Sequence, residues 1–177
     1  MSHSSNKPEP DFEDDLMSDL QDYETKEMLE KADNIVGVAV ASTSATGAIL
    51  IPFADAPLLI GQQVAMMAAI NSVFKMDISK DTLKSLAMAV IGVGGATVLG
   101  RTIAANLLKL IPGVGSVAGG AISATTAGLI TLALGKSYIR VCKEIKMGKL
   151  DQDDLTKKKG IEALKTAFKE QLKKKSV

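Results

Sequence analysis

The tripeptide Gly135-Lys136-Ser137 matches the end of a phosphate-binding P-loop, in which the lysine and the hydroxyl contact nucleotide phosphates and magnesium. The motif requires a glycine five residues before Gly135, and Ile130 occupies that position. A P-loop also follows a strand, whereas this tripeptide ends a long apolar segment that we predict to be helical. These departures argue against a nucleotide site at this position.

Two other motifs resemble ligand-binding loops. Residues 113–118 have the glycine spacing of a relaxed dinucleotide-binding turn, but no acidic residue follows about 20 positions on to bind a ribose. Asp151, Asp153 and Glu162 suggest a calcium loop, but Thr156 stands where that loop requires glycine. We therefore predict neither site and expect no cofactor.

The chain offers few residues for nucleophilic or metal-assisted catalysis. His3 is the only histidine and Cys142 the only cysteine, so neither a histidine-based triad nor a Cys/His metal site can be assembled. The single cysteine also excludes an internal disulfide. Asp55 is a lone carboxylate beside Pro57, and we interpret it as a helix cap. We predict no catalytic, cofactor-binding or metal-ligating residues, and expect that the protein is not an enzyme.

Long apolar segments dominate the centre of the chain and predict an all-α fold. Four of them, three without any charged residue, follow one another at residues 35–54, 56–74, 83–110 and 113–135. Pro52 and Pro112 end two of these segments, because proline lacks an N–H donor and disfavours a helical residue before it. Each proline follows an isoleucine and joins two apolar segments, so we predict two helical hairpins. Their turns consist of Pro52, Asp55, Pro57, Pro112, Gly113 and Gly115.

Small residues recur at intervals of about four positions in the third and fourth apolar segments. This spacing lets helix backbones approach closely, both in membrane bundles and in soluble proteins. The composition favours such packing, because Trp is absent and aromatic residues make up only 3% of the chain. The predicted packing residues are Gly92, Ala96, Gly100, Gly119, Gly120, Ala124 and Gly128.

The apolar centre is flanked by segments of opposite charge. Residues 1–34 hold 11 acidic and 3 basic residues, a net charge of −8, whereas residues 143–177 hold 6 acidic and 11 basic residues, a net charge of +5. Apolar residues recur at helical spacing in both flanks: Leu16, Leu20, Tyr23 and Met28 in the first, and Ile161, Leu164, Phe168 and Leu172 in the second. Both flanks are therefore predicted to form amphipathic helices. The predicted division is a disordered tail (1–10), an acidic helix (11–32), an apolar core (33–145) and a basic helix (150–175).

The distribution of lysine and arginine indicates an orientation in a membrane. If all four apolar segments span, both tails and the connector at residues 75–84 share one side with 19 basic residues, while the turns of the other side hold only Lys109. An excess of basic residues is typical of cytoplasmic loops, so we expect a membrane location with both termini cytoplasmic. Arg101 within a span is unfavourable, and a cytoplasmic location is the alternative.

Two motifs resemble those of the domain of unknown function 697 family: IPFADAPLLI at residues 51–60 and LIPGVGS at residues 110–116. The likeness covers roughly residues 32–145. In that family the domain commonly follows a GTP-binding domain, and some members are membrane proteins. The resemblance therefore implies a bacterial, membrane-associated helical domain that works with a GTPase. Because only some 34 residues precede the core, we expect either a separate GTPase as partner or a domain that acts alone.

Our leading interpretation is a non-enzymatic, membrane-associated helical module that contacts lipid and works with a separate GTPase. Two alternatives stay open: a soluble adaptor that forms a homo-oligomer through its Gly/Ala faces, and a protein whose hairpins perturb membranes. The basic C-terminal helix is expected to lie on an anionic leaflet, or else to face solvent or dock on the acidic helix. We expect no nucleic-acid binding, because the lysine-rich tail lacks interleaved aromatic residues.

Overall fold

The computed structural model of the chain describes residues 12–47, 56–91 and 124–174. Within these ranges the chain forms five α-helices and one short 3-10 helix and contains no strand, which confirms the predicted all-α fold. The helices are α1 (Phe12–Gly47), α2 (Ala56–Phe74), α3 (Lys80–Ile91), α4 (Ala124–Lys146) and α5 (Lys158–Lys174), with the 3-10 helix (Gln152–Thr156) before α5. None of the helices in these ranges combines the length and the apolar character that a membrane crossing requires.

Helix α1 is a single helix of 36 residues that joins two segments predicted to be separate. The sequence predicts an acidic helix that ends at residue 32 and an apolar helix that starts near Ile35, but the helix continues through this boundary. The continuity has a local cause, because no proline occurs in residues 12–47 and Gly37 is the only glycine before the last position. One helix therefore carries both the acidic segment and the start of the apolar one.

Helix α4 is the centre of the fold, because it packs against α1, α2 and α5. Its most extensive contact is with α1. The four largest fully buried side chains, Tyr138, Phe74, Phe168 and Met67, come from three helices. Removal of this apolar surface from water is the main force that holds the helices together.

The turn between α2 and α3 combines a left-handed residue with a helix cap. Lys75 has a φ of 55° and follows the last residue of α2. The Thr82 amide donates to Ser79 Oγ at 3.2 Å, and the Leu83 amide donates to the Ser79 carbonyl at 3.0 Å. Ser79 is therefore the N-cap of α3 and satisfies backbone donors that have no partner within the helix.

The Asp154 carboxylate stabilises the segment that connects α4 to α5. Lys159 Nζ donates to Asp154 Oδ2 at 2.6 Å, and the Asp151 amide contacts the same oxygen at 3.5 Å. The hydrogen bond from Lys159 lowers the pKa of the Asp154 carboxyl. Gly160 lies directly on the 3-10 helix, where a Cβ would come within 2.7 Å of Leu155 Cα. This close approach leaves no room for a side chain at position 160.

Candidate functional site

Few of the residues selected from the sequence lie in the described ranges. Pro57 is the second residue of α2, where proline is tolerated because a first-turn N–H has no acceptor within the helix. Ala124 is the first residue of α4, and Gly128 lies about one turn further on. The other selected residues, and with them both predicted Ile-Pro corners, lie outside the described ranges: Pro52, Asp55, Gly92, Ala96, Gly100, Pro112, Gly113, Gly115, Gly119 and Gly120.

Two glycines of α4 bring that helix close to α1. A Cβ on Gly128 would lie 2.5 Å from Ser44 Oγ, and a Cβ on Gly135 would lie 2.5 Å from Val36 Cγ2. Of these two glycines, the four-residue spacing of small residues in the sequence identifies only Gly128. Gly135 lies seven residues further along the same face of the helix, so a search for small residues at two-turn intervals would have identified it.

The P-loop-like tripeptide consists of residues with structural contacts. Its glycine lies against α1, as described above. Lys136 Nζ lies 2.8 Å from Asp33 Oδ2 of α1, an ion pair at the surface. Ser137 is fully buried, and its Oγ donates to the Ala133 carbonyl at 2.5 Å. All three residues therefore have structural roles in α4: Gly135 in close packing, Lys136 in a surface ion pair and Ser137 in a buried hydrogen bond.

Two buried hydrogen bonds join α2 to α4. Gln63 Nε2 donates to Thr131 Oγ1 at 2.8 Å, and Tyr138 Oη donates to Asn71 Oδ1 at 2.6 Å. All four side chains are buried, and none is more than 4% exposed. An unpaired polar group in such a place is costly, so these bonds fix the register between the two helices.

Cys142 lies one turn after Tyr138, and both side chains are fully buried. Burial raises the pKa of the Tyr138 hydroxyl and raises the pKa of the Cys142 thiol to about 12. The thiol is therefore protonated at neutral pH, whereas a nucleophilic cysteine reacts as the thiolate. Among the residues that the structure describes, no three His, Cys, Asp or Glu side chains are grouped so that they could hold a metal ion.

Helix α5 directs its apolar residues to the core and its lysines to solvent. Leu164, Phe168 and Leu172 are buried in the core that α5 shares with α3 and α4. The sequence pattern of an amphipathic helix is thus satisfied by packing within the chain. Five lysines of the helix are exposed, and one of them, Lys159, pairs with Asp154. We call the other four the lysine face: Lys158, Lys169, Lys173 and Lys174.

The ion pairs around α5 do not use the lysine face. In the described part of the chain, carboxylates on this helix pair with other residues: Lys165 with Glu162 at 3.4 Å, and Arg140 of α4 with Glu170 at 2.5 Å. None of the four lysines has a carboxylate within ion-pair distance in these ranges. The lysine face is therefore open to an anionic surface.

The acidic half of α1 is exposed at a different place in the fold. Helix α1 packs on α4 and α2, whereas α5 packs on α4, α3 and the 3-10 helix. Every residue from Leu16 to Glu24 is exposed. The basic helix therefore does not dock along this acidic segment of its own chain, which was one of the predicted arrangements.

These features define the class of protein: an all-α domain with its only thiol buried and with separate acidic and basic surfaces. A family model, the domain of unknown function DUF697, matches residues 12–173. The chain belongs to the DUF697 family, as the motifs at residues 51–60 and 110–116 predict.

A curated relative is magnetosome membrane protein 22 of Magnetospirillum gryphiswaldense. It is 26% identical over 113 residues, which cover 62% of this chain and 56% of the relative. The chain therefore spans a little over half the length of this relative. No solved structure matches the chain.

Proposed function

We propose that this protein is a non-enzymatic helical module that associates with membranes through its lysine face. The observation that carries the proposal is the arrangement of α5, where four exposed lysines without ion-pair partners in the described ranges lie on a helix whose apolar residues are buried. Anionic leaflets attract such lysines by about 1 kcal/mol each. In this arrangement the lysine face and both termini lie on the cytoplasmic side.

The burial of α5 determines the kind of lipid contact. An amphipathic helix that enters a leaflet does so with its apolar face. Leu164, Phe168 and Leu172 are instead part of the protein core. Contact of α5 with lipid is therefore electrostatic, and we expect it to weaken as the salt concentration rises.

The relative supports the same proposal. Its name designates a membrane protein, and it aligns with more than half of this chain. The alignment covers 56% of that protein, so only membrane association is carried over to this chain.

Two side chains that could act as nucleophiles, Cys142 and Ser137, support the proposal that the protein is not an enzyme. Burial raises the pKa of the Cys142 thiol to about 12, so the thiol is not activated. The buried Ser137 hydroxyl donates to the Ala133 carbonyl of its own helix at 2.5 Å. Both groups contribute to packing in α4.

Flotation of the full chain with lipid vesicles tests the proposal. We expect the protein to float with vesicles that contain phosphatidylglycerol and not with vesicles of phosphatidylcholine alone. Lys169→Glu and Lys173→Glu each replace an attraction by a repulsion, so each should weaken binding about tenfold or more. Raised salt should reduce binding of the unmodified chain as well.

Lys26→Glu is the matched control, because Lys26 is an exposed lysine of α1 that lies far along the chain from α5. It changes the net charge by the same amount as Lys169→Glu, and we expect vesicle binding close to that of the unmodified chain. Equal binding to both kinds of vesicle, or equal loss in the control and the α5 variants, would contradict a role for the lysine face.

A further inference from the structure

Helix α1 has two different faces. One face packs into the core and buries Ala32, Val36 and Thr43. The opposite face carries residues at the 3.6-residue period of an α-helix, and every one of them is exposed. This row, which we call the outer seam, consists of Leu16, Leu20, Tyr23, Glu27, Lys31, Asn34, Val38, Ala41 and Ala45.

The outer seam exposes large apolar side chains that a solvated helix face does not require. Leu16 is 50% exposed, Leu20 52%, Tyr23 68% and Val38 73%. The spacing of the first three, at i, i+4 and i+7, is the spacing by which one helix packs on another. Leu16, Leu20 and Tyr23 form an exposed apolar patch of this kind, and such a patch marks an interaction surface.

The distribution of charge along α1 indicates which kind of partner binds to the outer seam. Residues 12–30 hold eight acidic residues and one basic residue, whereas residues 35–47 hold no charge. A helix that lies on a membrane surface carries lysine and arginine on its polar face, so lipid is disfavoured. Parallel pairing of two α1 helices would bring the two acidic halves together. Antiparallel pairing instead places each acidic half beside an uncharged half.

We propose that the outer seam is the interface of an antiparallel homodimer, in which α1 of one copy packs along α1 of a second copy. In the register that aligns the two seams, large residues face smaller ones: Leu16 faces the partner's Ala45, Leu20 faces the partner's Ala41, and Tyr23 faces the partner's Val38. This alternation of size lets the two helices approach and interdigitate. The interface is isologous, so it closes at two copies.

The middle of the outer seam is complementary to itself in this register. Lys31 Nζ and Glu27 Oε1 of one chain lie 2.7 Å apart, and the two side chains are 61% and 50% exposed. Near the two-fold axis Lys31 faces the partner's Glu30, an exposed residue beside the outer seam, and Glu27 faces the partner's Asn34. Opposite charges therefore meet where the acidic halves come closest together.

The proposed dimer is independent of membrane binding and differs from association through glycine faces. Helix α5 and its lysine face lie outside the outer seam. Gly128 and Gly135 are already covered by α1 within the chain, so they are not available to a second copy.

Sedimentation equilibrium of the full chain tests the interface, with Leu20→Glu as the variant. The substitution keeps a good helix former but places a charge in the seam. Since each dimer contains two copies of Leu20, we expect dimerisation to weaken about 100-fold or more. Gln21→Glu is the matched control, because it adds the same charge to the neighbouring exposed residue outside the seam, and it should dimerise like the unmodified chain.

Disulfide formation tests the direction of pairing. Oxidation of a mixture of Leu20→Cys and Ala41→Cys chains should yield the mixed dimer, because these positions face each other, whereas Leu20→Cys alone should remain uncrosslinked. The buried native Cys142 should not contribute, which the unmodified chain tests directly. Crosslinking of Leu20→Cys with itself, a monomeric unmodified chain at all concentrations, or unchanged dimerisation of Leu20→Glu would each overturn the proposal.

Discussion

Replacement of Gly135 by alanine tests the close contact between α1 and α4. The added Cβ would lie 2.5 Å from Val36 Cγ2, 2.9 Å from Val36 Cγ1 and 3.1 Å from Met66 Sδ. Overpacking of this kind costs about 1–3 kcal/mol. Alanine also favours the helix over glycine by about 1 kcal/mol. The net expectation is a loss of up to about 2 kcal/mol, which urea unfolding followed by circular dichroism measures.

Gly61→Ala is the control that isolates the contact. Gly61 lies in α2, and a Cβ at this position would have no atom within 4 Å. This substitution should therefore stabilise the protein by about 0.5–1 kcal/mol. In a Val36→Ala background, Gly135→Ala should cost less than it does alone, because the neighbouring methyl groups are gone. If Gly135→Ala stabilises the protein as much as Gly61→Ala does, the described packing of α4 on α1 is wrong.

Three further predictions concern the core and the start of α5. Tyr138→Phe should destabilise the protein by about 1–3 kcal/mol in urea unfolding, because it leaves the buried Asn71 Oδ1 without its donor. Cys142, whose thiol pKa is raised to about 12, should resist alkylation at neutral pH in the folded protein and react only after unfolding. Asp154→Asn should lower the melting temperature at neutral pH. Because the pKa of Asp154 is lowered on folding, its contribution is present above the unfolded pKa of about 4 and is lost as the pH falls further. The variant and the unmodified chain should therefore melt more alike in acid.

The helical class and the amphipathic C-terminal helix could be predicted because local sequence carries both signals. Ile161, Leu164, Phe168 and Leu172 recur at a helical period, and the last three are buried in the structure. The polar residues Gln63 and Asn71 stand in an apolar segment, and both bond between helices, to Thr131 and Tyr138. In these cases a polar or apolar side chain has one favourable environment, so its type indicates its surroundings.

The partners of these side chains could not be predicted, because they depend on contacts between residues far apart in the chain. Gly135 meets Val36 across almost one hundred positions, and neither residue signals the other in the sequence. The periodic apolar residues Leu16, Leu20 and Tyr23 look like a core face, yet all three are exposed. The period of apolar residues in the sequence identifies one face of a helix. Whether that face is buried depends on how the other helices pack.

Fractionation of cells that express the full chain tests membrane association most directly. Membranes are sedimented at low salt, and the protein in the pellet and in the supernatant is quantified for the unmodified chain and for the variant Lys169→Glu/Lys173→Glu. Our account predicts that the unmodified chain sediments with the membranes and that the variant shifts toward the supernatant. Recovery of the unmodified chain in the supernatant would contradict the proposed membrane module.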